Sequence, residues 1–265
     1  RPDKPMIKNT TKPPLNLVNV VIFLGFPIAA LILVPLWGGY KGYDAFQWLW
    51  ALDLLYLNGL SITGGFHRLW AHKAYEASPA LKWFFAFWGA GALQNSILIW
   101  ASDHRRHHRH VDDNERDPYS AGRGLWFSHI GWMLREYNTD TPDFSNAKDL
   151  LRDPVVAWQQ KHYIALTAFM NLGLPLLLGF WHGDVIGTVL LVGLLRLVVN
   201  HHVTFLSIPW RTFGGVGPIP KPTAHETTAF SHSSPMVRVT ITIITSSRLT
   251  IVMAFAGGNG TRPSG

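Results

Sequence analysis

The stretch DHRRHHRH, Asp103 to His110, decides how the chain is read. On a helix, His104, His107 and His108 stand at i, i+3 and i+4, so three imidazoles leave one face and can meet one ion, while His110 falls on the other side. A second cluster, HRLWAH, runs from His67 to His72. Its HxxxxH spacing spreads the two rings too widely for one ion on an ideal α-helix, unless the segment bends or the rings serve neighbouring positions. Five imidazoles in two boxes point to more than one metal. The competing reading is a solvated basic face built on Arg105, Arg106 and Arg109. Basic nucleic-acid patches rarely stack histidine this densely beside apolar runs of membrane length, which weighs against it.

Working outward, the 265 residues are nearly half hydrophobic, with 12 Trp and 15 Phe, and the apolar residues gather into runs near the roughly 20 residues that cross a bilayer. The formal charge of +7 then reads as a cytoplasmic, lipid-facing or partner-facing surface rather than as a nucleic-acid site. The chain has no Cys, which excludes disulfides, thiolate zinc sites, iron–sulfur clusters and cysteine nucleophiles. Imidazole and carboxylate remain as ligands. Such sites suit iron, zinc, copper or nickel, so residue type alone does not choose the metal.

Arg1 to Pro14 reads as a basic tail, disordered or lying on a surface. Leu15 to Trp37 is long enough to span, and longer than the apolar core of a signal peptide. Ala45 to Thr63 is a weaker second span whose Gln47, Asp53 and Asn58 have to face protein. Ala80 to Trp100 is interrupted by Lys82, Gln94 and Asn95 and reads as an interfacial or re-entrant helix. The polar segment from Ala101 to Lys161 follows. Tyr163 to Trp181 and Val185 to Leu206 then form a second hairpin around the HGD turn. Lys and Arg concentrate in the tail and the middle segment, while the hairpin turns carry only Lys41, so the tail and both boxes are expected on the cytoplasmic side. The expected fold is an all-α, multi-pass membrane protein: four transmembrane helices in two hairpins with a cytoplasmic histidine-box cap. It divides into a tail (1–14), a membrane domain (15–206) and a final segment (207–265).

With GGFHRLWAHKAY, WASDHRRHHRH and DPYSAGRGLWFSHIGWML in this order between two apolar hairpins, the chain resembles the membrane fatty-acyl desaturases, those of the delta-9 acyl-CoA type in particular. The resemblance covers roughly Gly38 to Leu206. It implies two non-haem irons held by His67, His72, His104, His107 and His108 together with ligands further along. It also implies O2 as co-substrate and a long-chain acyl-CoA, or another acyl carrier or lipid, as substrate. A ferredoxin or cytochrome b5-like protein would donate electrons, within a lipid bilayer and with no nucleic acid. Asp103 reads either as a partner that orients a neighbouring imidazole or as a helix cap. His129 stands near the substrate or is a hydrogen-bonded structural residue. His201 and His202 look paired for a metal, although the family's remaining ligands lie just beyond them. A di-iron hydroxylase or alkane monooxygenase shares such boxes, but the GGFHRLWAH flank favours a desaturase.

After Leu206 the family pattern stops. Restoring one base lost after that codon regroups Ser207 to Thr212 as INSLAH, Pro218 to Thr228 as a stretch containing PY and SARDN, and Met236 to Thr245 as GEGYHNYHH. These are family motifs in the family's order. The last 59 residues therefore read as an out-of-frame C-terminus, in which His225 and His232 are not ligands. A chain with that tail lacks about four ligands and is expected to be impaired, or an inactive remnant.

Overall fold

The computed structural model describes residues 13–213, apart from 112 and 138–143. The first helix, α1 (Leu17–Tyr40), starts at Asn16, whose side chain accepts the Asn19 N–H. Ahead of it, the backbone of Pro14 and Asn16 pairs antiparallel with Leu134 and Glu136, so the end of the tail is strapped across the cap. Residues 1–12 lie outside the described residues. Gly42, at φ 80°, makes the turn into α2 (Ala45–Leu60). There Asp44 and Gln47 satisfy one another's backbone N–H groups in a reciprocal cap.

The helix then widens into a π-helix, Ser61–Ala71, without a break. Two shorter helices follow, α3 (Pro79–Ala90) and α4 (Ile97–Arg109), each started by a serine whose hydroxyl accepts a backbone N–H. The 12 residues of α3 span about 18 Å, too short to cross a bilayer. The apolar stretch 80–100 is thus two helices, parted by a turn in which Leu93 and Asn95 adopt positive φ. Short helices α5 (Leu125–His129) and α6 (Lys148–Leu151) lead to the long α7 (Pro154–His182). Left-handed Gly183 ends α7, and the Asp184 side chain caps α8 (Val185–Phe205). The second hairpin lies where its sequence predicts.

Among the described residues the regular structure is helical, and α1, α7 and α8 are long and apolar enough to cross a membrane. α2 is diluted by polar groups. Gln47 and Asn58 are buried as expected, on a stripe with Ala51 and Leu54 at i, i+4, i+7 and i+11. Asp53 falls off that stripe and is exposed, which corrects the expectation that it faces protein.

Two polar knots tie the hairpins together. At one end, Asp184 accepts from Gln47 Nε2 (3.0 Å), Trp37 Nε1 (3.3 Å) and the Gly187 N–H. Deeper in the bundle, buried Arg196 on α8 donates to Asn58 Oδ1, Gly91 O and Asn171 Oδ1 at 2.8–3.0 Å. With Nε donating to the Val192 carbonyl at 3.0 Å, each guanidinium nitrogen meets an acceptor, which is what a guanidinium within a membrane-length helix requires. The π-helix, α3, α4 and α7 share a separate apolar core around Phe66, Trp70, Phe85, Ile97 and Val156. This core holds the two histidine boxes against one another.

Candidate metal centre

The π-helix answers the spacing problem of the first box. On an α-helix, residues five apart point about 140° away from one another. Hydrogen bonds from i to i+5 widen the turn, and the His72 N–H reaches the His67 carbonyl at 2.9 Å. Both rings therefore leave the same side, 4.4 Å apart between centroids. Across from them, α4 presents His104 and His108 one turn apart.

Four Nε2 atoms converge. His72 lies 3.2 Å from His67 and 3.1 Å from His104, and His104 lies 3.0 Å from His108. One nitrogen from each ring fits within a 4.8 Å cluster. Hydrogen bonding alone does not account for this row. A neutral imidazole nitrogen carries either one proton or one in-plane lone pair, so each can take part in a single bond, and four nitrogens in a row can satisfy at most two of three contacts. A cation accepts all four lone pairs at once. With metal–nitrogen bonds of about 2.0–2.1 Å, ligand atoms at right angles stand about 3.0 Å apart and tetrahedral ones about 3.4 Å, so the observed spacings fit one ion.

Electrostatics agree. Burial, then the neighbouring rings, push His104 down to about 2, and burial lowers His72 as well. Neutral imidazoles are the form that ligates. His104 is also fixed from behind: Trp100 stacks on its ring at 4.9 Å and 20°, and its Nδ1 meets the Tyr119 hydroxyl at 3.2 Å. His67 and His104 are half-buried while His72 and His108 are exposed, so the cluster is open on one side.

His107 stands apart from these four. Its Nδ1 meets both oxygens of Asp117 at 2.8 and 2.9 Å, and the Asp117 side chain is fully buried. A carboxylate there fixes the tautomer with Nδ1 protonated, leaving Nε2 as the lone-pair nitrogen. Sequence reasoning missed Asp117 and Tyr119 as imidazole partners. They sit in the DPY triplet, whose position ten residues beyond His107 gave no hint of the contact. Asp103 pairs with Arg106 at 3.5 Å and lies in mid-helix, since α4 is capped by Ser96; the capping reading falls away.

The low-priority histidines lie elsewhere. His201 is buried, and its Nε2 donates to the Ala92 carbonyl at 2.9 Å, so that nitrogen holds a proton rather than a free lone pair. Phe23 and Phe205 pack on its ring. His129 and His202 meet at 3.3 Å, separate from the four-imidazole cluster.

With this geometry established, comparison with known proteins places the chain. Residues 45–242 match the fatty acid desaturase family. The chain belongs to that family. It is 36% identical to a probable acyl-CoA desaturase of Schizosaccharomyces pombe over 195 residues, 72% of this chain and 39% of the relative. It is 33% identical to acyl-CoA desaturase 1 of Saccharomyces cerevisiae over 204 residues, 77% of this chain and 39% of the relative. It is also 36% identical to the sn-1 stearoyl-lipid 9-desaturase of Anabaena variabilis over 207 residues, 76% and 70% of the two chains. The chain spans under half the length of the two fungal relatives. For this desaturase-family chain, the four convergent imidazoles are the feature that bears on chemistry.

Proposed function

We propose that the chain is built for O2-dependent desaturation of a long-chain fatty acyl thioester, with acyl-CoA as substrate and a delta-9 product. The observation that carries this reading is the convergence of the His67, His72, His104 and His108 Nε2 atoms, whose contacts hydrogen bonding cannot satisfy. In this reading those four residues hold one non-haem iron. His107, oriented by Asp117, would help to hold a second. Bound iron supplies the oxidising power that an unactivated methylene pair demands. The reaction balances when O2 takes two hydrogens from the acyl chain plus two electrons and two protons from outside, giving an alkene and two waters.

The protein's own residues hold the imidazoles neutral, orient them through Tyr119, Trp100 and Asp117, and leave one side of the cluster open for further ligands. In this reading there are four spans, with α2 completing the first hairpin, and the boxes stand on the cytoplasmic side of a bilayer, which the Lys and Arg of the tail and middle segment favour. A ferredoxin or cytochrome b5-like donor then delivers electrons to the basic face. The names of the relatives favour a desaturase over a hydroxylase.

The out-of-frame reading of residues 207–265 belongs to the same proposal and makes the chain as written a poor enzyme. Sequencing the gene across the codons for Phe205 to Trp210, with intact mass of the expressed protein, decides it. Activity is tested with stearoyl-CoA, O2 and a reduced donor on both the written chain and the frame-restored one. An alkene at the ninth carbon, from the restored chain and not the written one, is expected. An alcohol product, or no iron in the restored protein, overturns the assignment.

A further inference from the structure

Arg105 lies between two histidines of the second box, yet its side chain does not belong to a solvated basic face. All five guanidinium N–H groups have acceptors. Nε donates to the Ala71 carbonyl (3.2 Å) and Nη2 to the Trp70 carbonyl (2.6 Å), which are the last two carbonyls of the π-helix. Nη1 donates to the Asn146 carbonyl (2.9 Å), and the two terminal nitrogens together grip both oxygens of Asp149, at 2.8 and 3.0 Å. Asp149 in turn holds Lys73 at 3.0 Å. Lys73 follows His72 directly and sits at φ 52°, a left-handed conformation that an ordinary residue keeps only when its surroundings enforce it. The arginine beside His104 therefore caps the helix end beside His72.

We infer that Arg105 is a positioning residue that locks the two histidine boxes in register, so that the four imidazole nitrogens meet at the spacing one cation requires. The carbonyls it caps immediately precede His72 in the chain, and Arg105 directly follows His104, so its side chain ties the end of the first box to the start of the second. A lysine reproduces the charge but not the planar five-donor fork. This inference rests on the metal reading of the cluster.

The test uses the full chain in detergent and Co2+ alone as probe, followed by its visible ligand-field bands. The parent protein is expected to bind Co2+ with bands of a nitrogen-rich site. Arg105→Lys is expected to weaken binding by about ten-fold or more and to shift the bands, as lost support around metal ligands typically does. Lys82→Met removes an ion pair of similar length, Lys82 to Asp153 at 2.8 Å, which ties α3 to the start of α7 and touches neither box. It is expected to leave Co2+ binding unchanged. If the parent binds no Co2+, the metal reading fails and this inference with it. If the parent binds but Arg105→Lys matches it, or if Lys82→Met weakens binding as much, the positioning role is overturned. Should Arg105→Lys fail to fold, Asp149→Asn tests the same link from its exposed end; weaker Co2+ binding supports the role and unchanged binding overturns it.

Discussion

A methyl group at Gly65 has nowhere to go. A Cβ built there falls 2.7 Å from Phe85 Cβ and 2.8 Å from its Cγ. Neither atom is the free end of a flexible chain: Phe85 Cβ is bonded to the backbone of α3, and the ring is 5% exposed. Carbon atoms in favourable contact stand about 3.5–4.0 Å apart, so Gly65→Ala requires α3 and the π-helix to separate by about 0.8 Å. Overpacking of this kind costs about 1–3 kcal/mol, and the better helix propensity of alanine returns up to about 1 kcal/mol. The net loss is roughly 1–2 kcal/mol, a drop of roughly 2–8 °C in Tm for a domain of this size. Gly59, one and a half turns earlier in the same helix, is the matched comparison: a Cβ there meets nothing within 4 Å, so Gly59→Ala is expected to hold or raise Tm. The assay is thermal unfolding of the metal-free protein in detergent, with Co2+ affinity measured on the same samples, because His67 is two residues beyond the strained contact. A Gly65→Ala protein that melts with or above the parent, or that behaves like Gly59→Ala, refutes the close packing of these two helices.

Three further outcomes follow from the same packing. Replacing Asp117 by Ala strands the His107 Nδ1–H and the Tyr119 N–H, at about 1–3 kcal/mol for each buried donor, and is expected to lower Tm clearly while leaving Co2+ binding by the four-imidazole cluster in place. Asn58→Leu removes one acceptor from buried Arg196 and one of the two donors of the Trp88 carbonyl, which keeps the Gly91 N–H, an expected loss of about 1–3 kcal/mol in thermal unfolding. In metal-free protein, the depressed His104 makes stability depend on acidity. The unfolded chain binds its proton near pH 6.5 and the folded chain only near 2, so stability is complete above about 6.5 and falls as pH drops through that window, by up to about 1.4 kcal/mol per pH unit. Denaturant midpoints measured between pH 8 and 5 check this; midpoints that rise on acidification contradict the neutral, half-buried His104.

Much of this was legible from residue spacing. The i, i+4 pair His104 and His108 meets as helical geometry dictates, and Asp44, Ser96 and Asp184 cap helices where turn-forming residues precede apolar runs. His107, one position short of His108, was grouped with them by the same rule, but α4 receives the first box on the His104–His108 side and Asp117 draws His107 round the helix. No residue pattern announces a π-helix, because its cost is met by tertiary packing rather than by propensity; the five-residue histidine spacing asked only for a bend or for rings serving neighbouring positions. Asp53 misled because a polar residue in an apolar run does not reveal which face it occupies. Arg105 misled for the opposite reason: an arginine among arginines looks solvated until the carbonyls it covers are in place.

The widened turn beneath the first box makes the chain intolerant of miscounting. With four residues between them, the rings of His67 and His72 share a side only while the i to i+5 ladder persists. Deleting one of those four leaves an i, i+4 pair, which ordinary α-helical winding keeps on one face, whereas inserting one makes the spacing i, i+6 and swings the second ring away by about 120° on an α-helix. The interval between the two histidines behaves as a gear tooth: substitution preserves its pitch, a deletion is met by the narrower α-helical turn, and an insertion is met by neither winding.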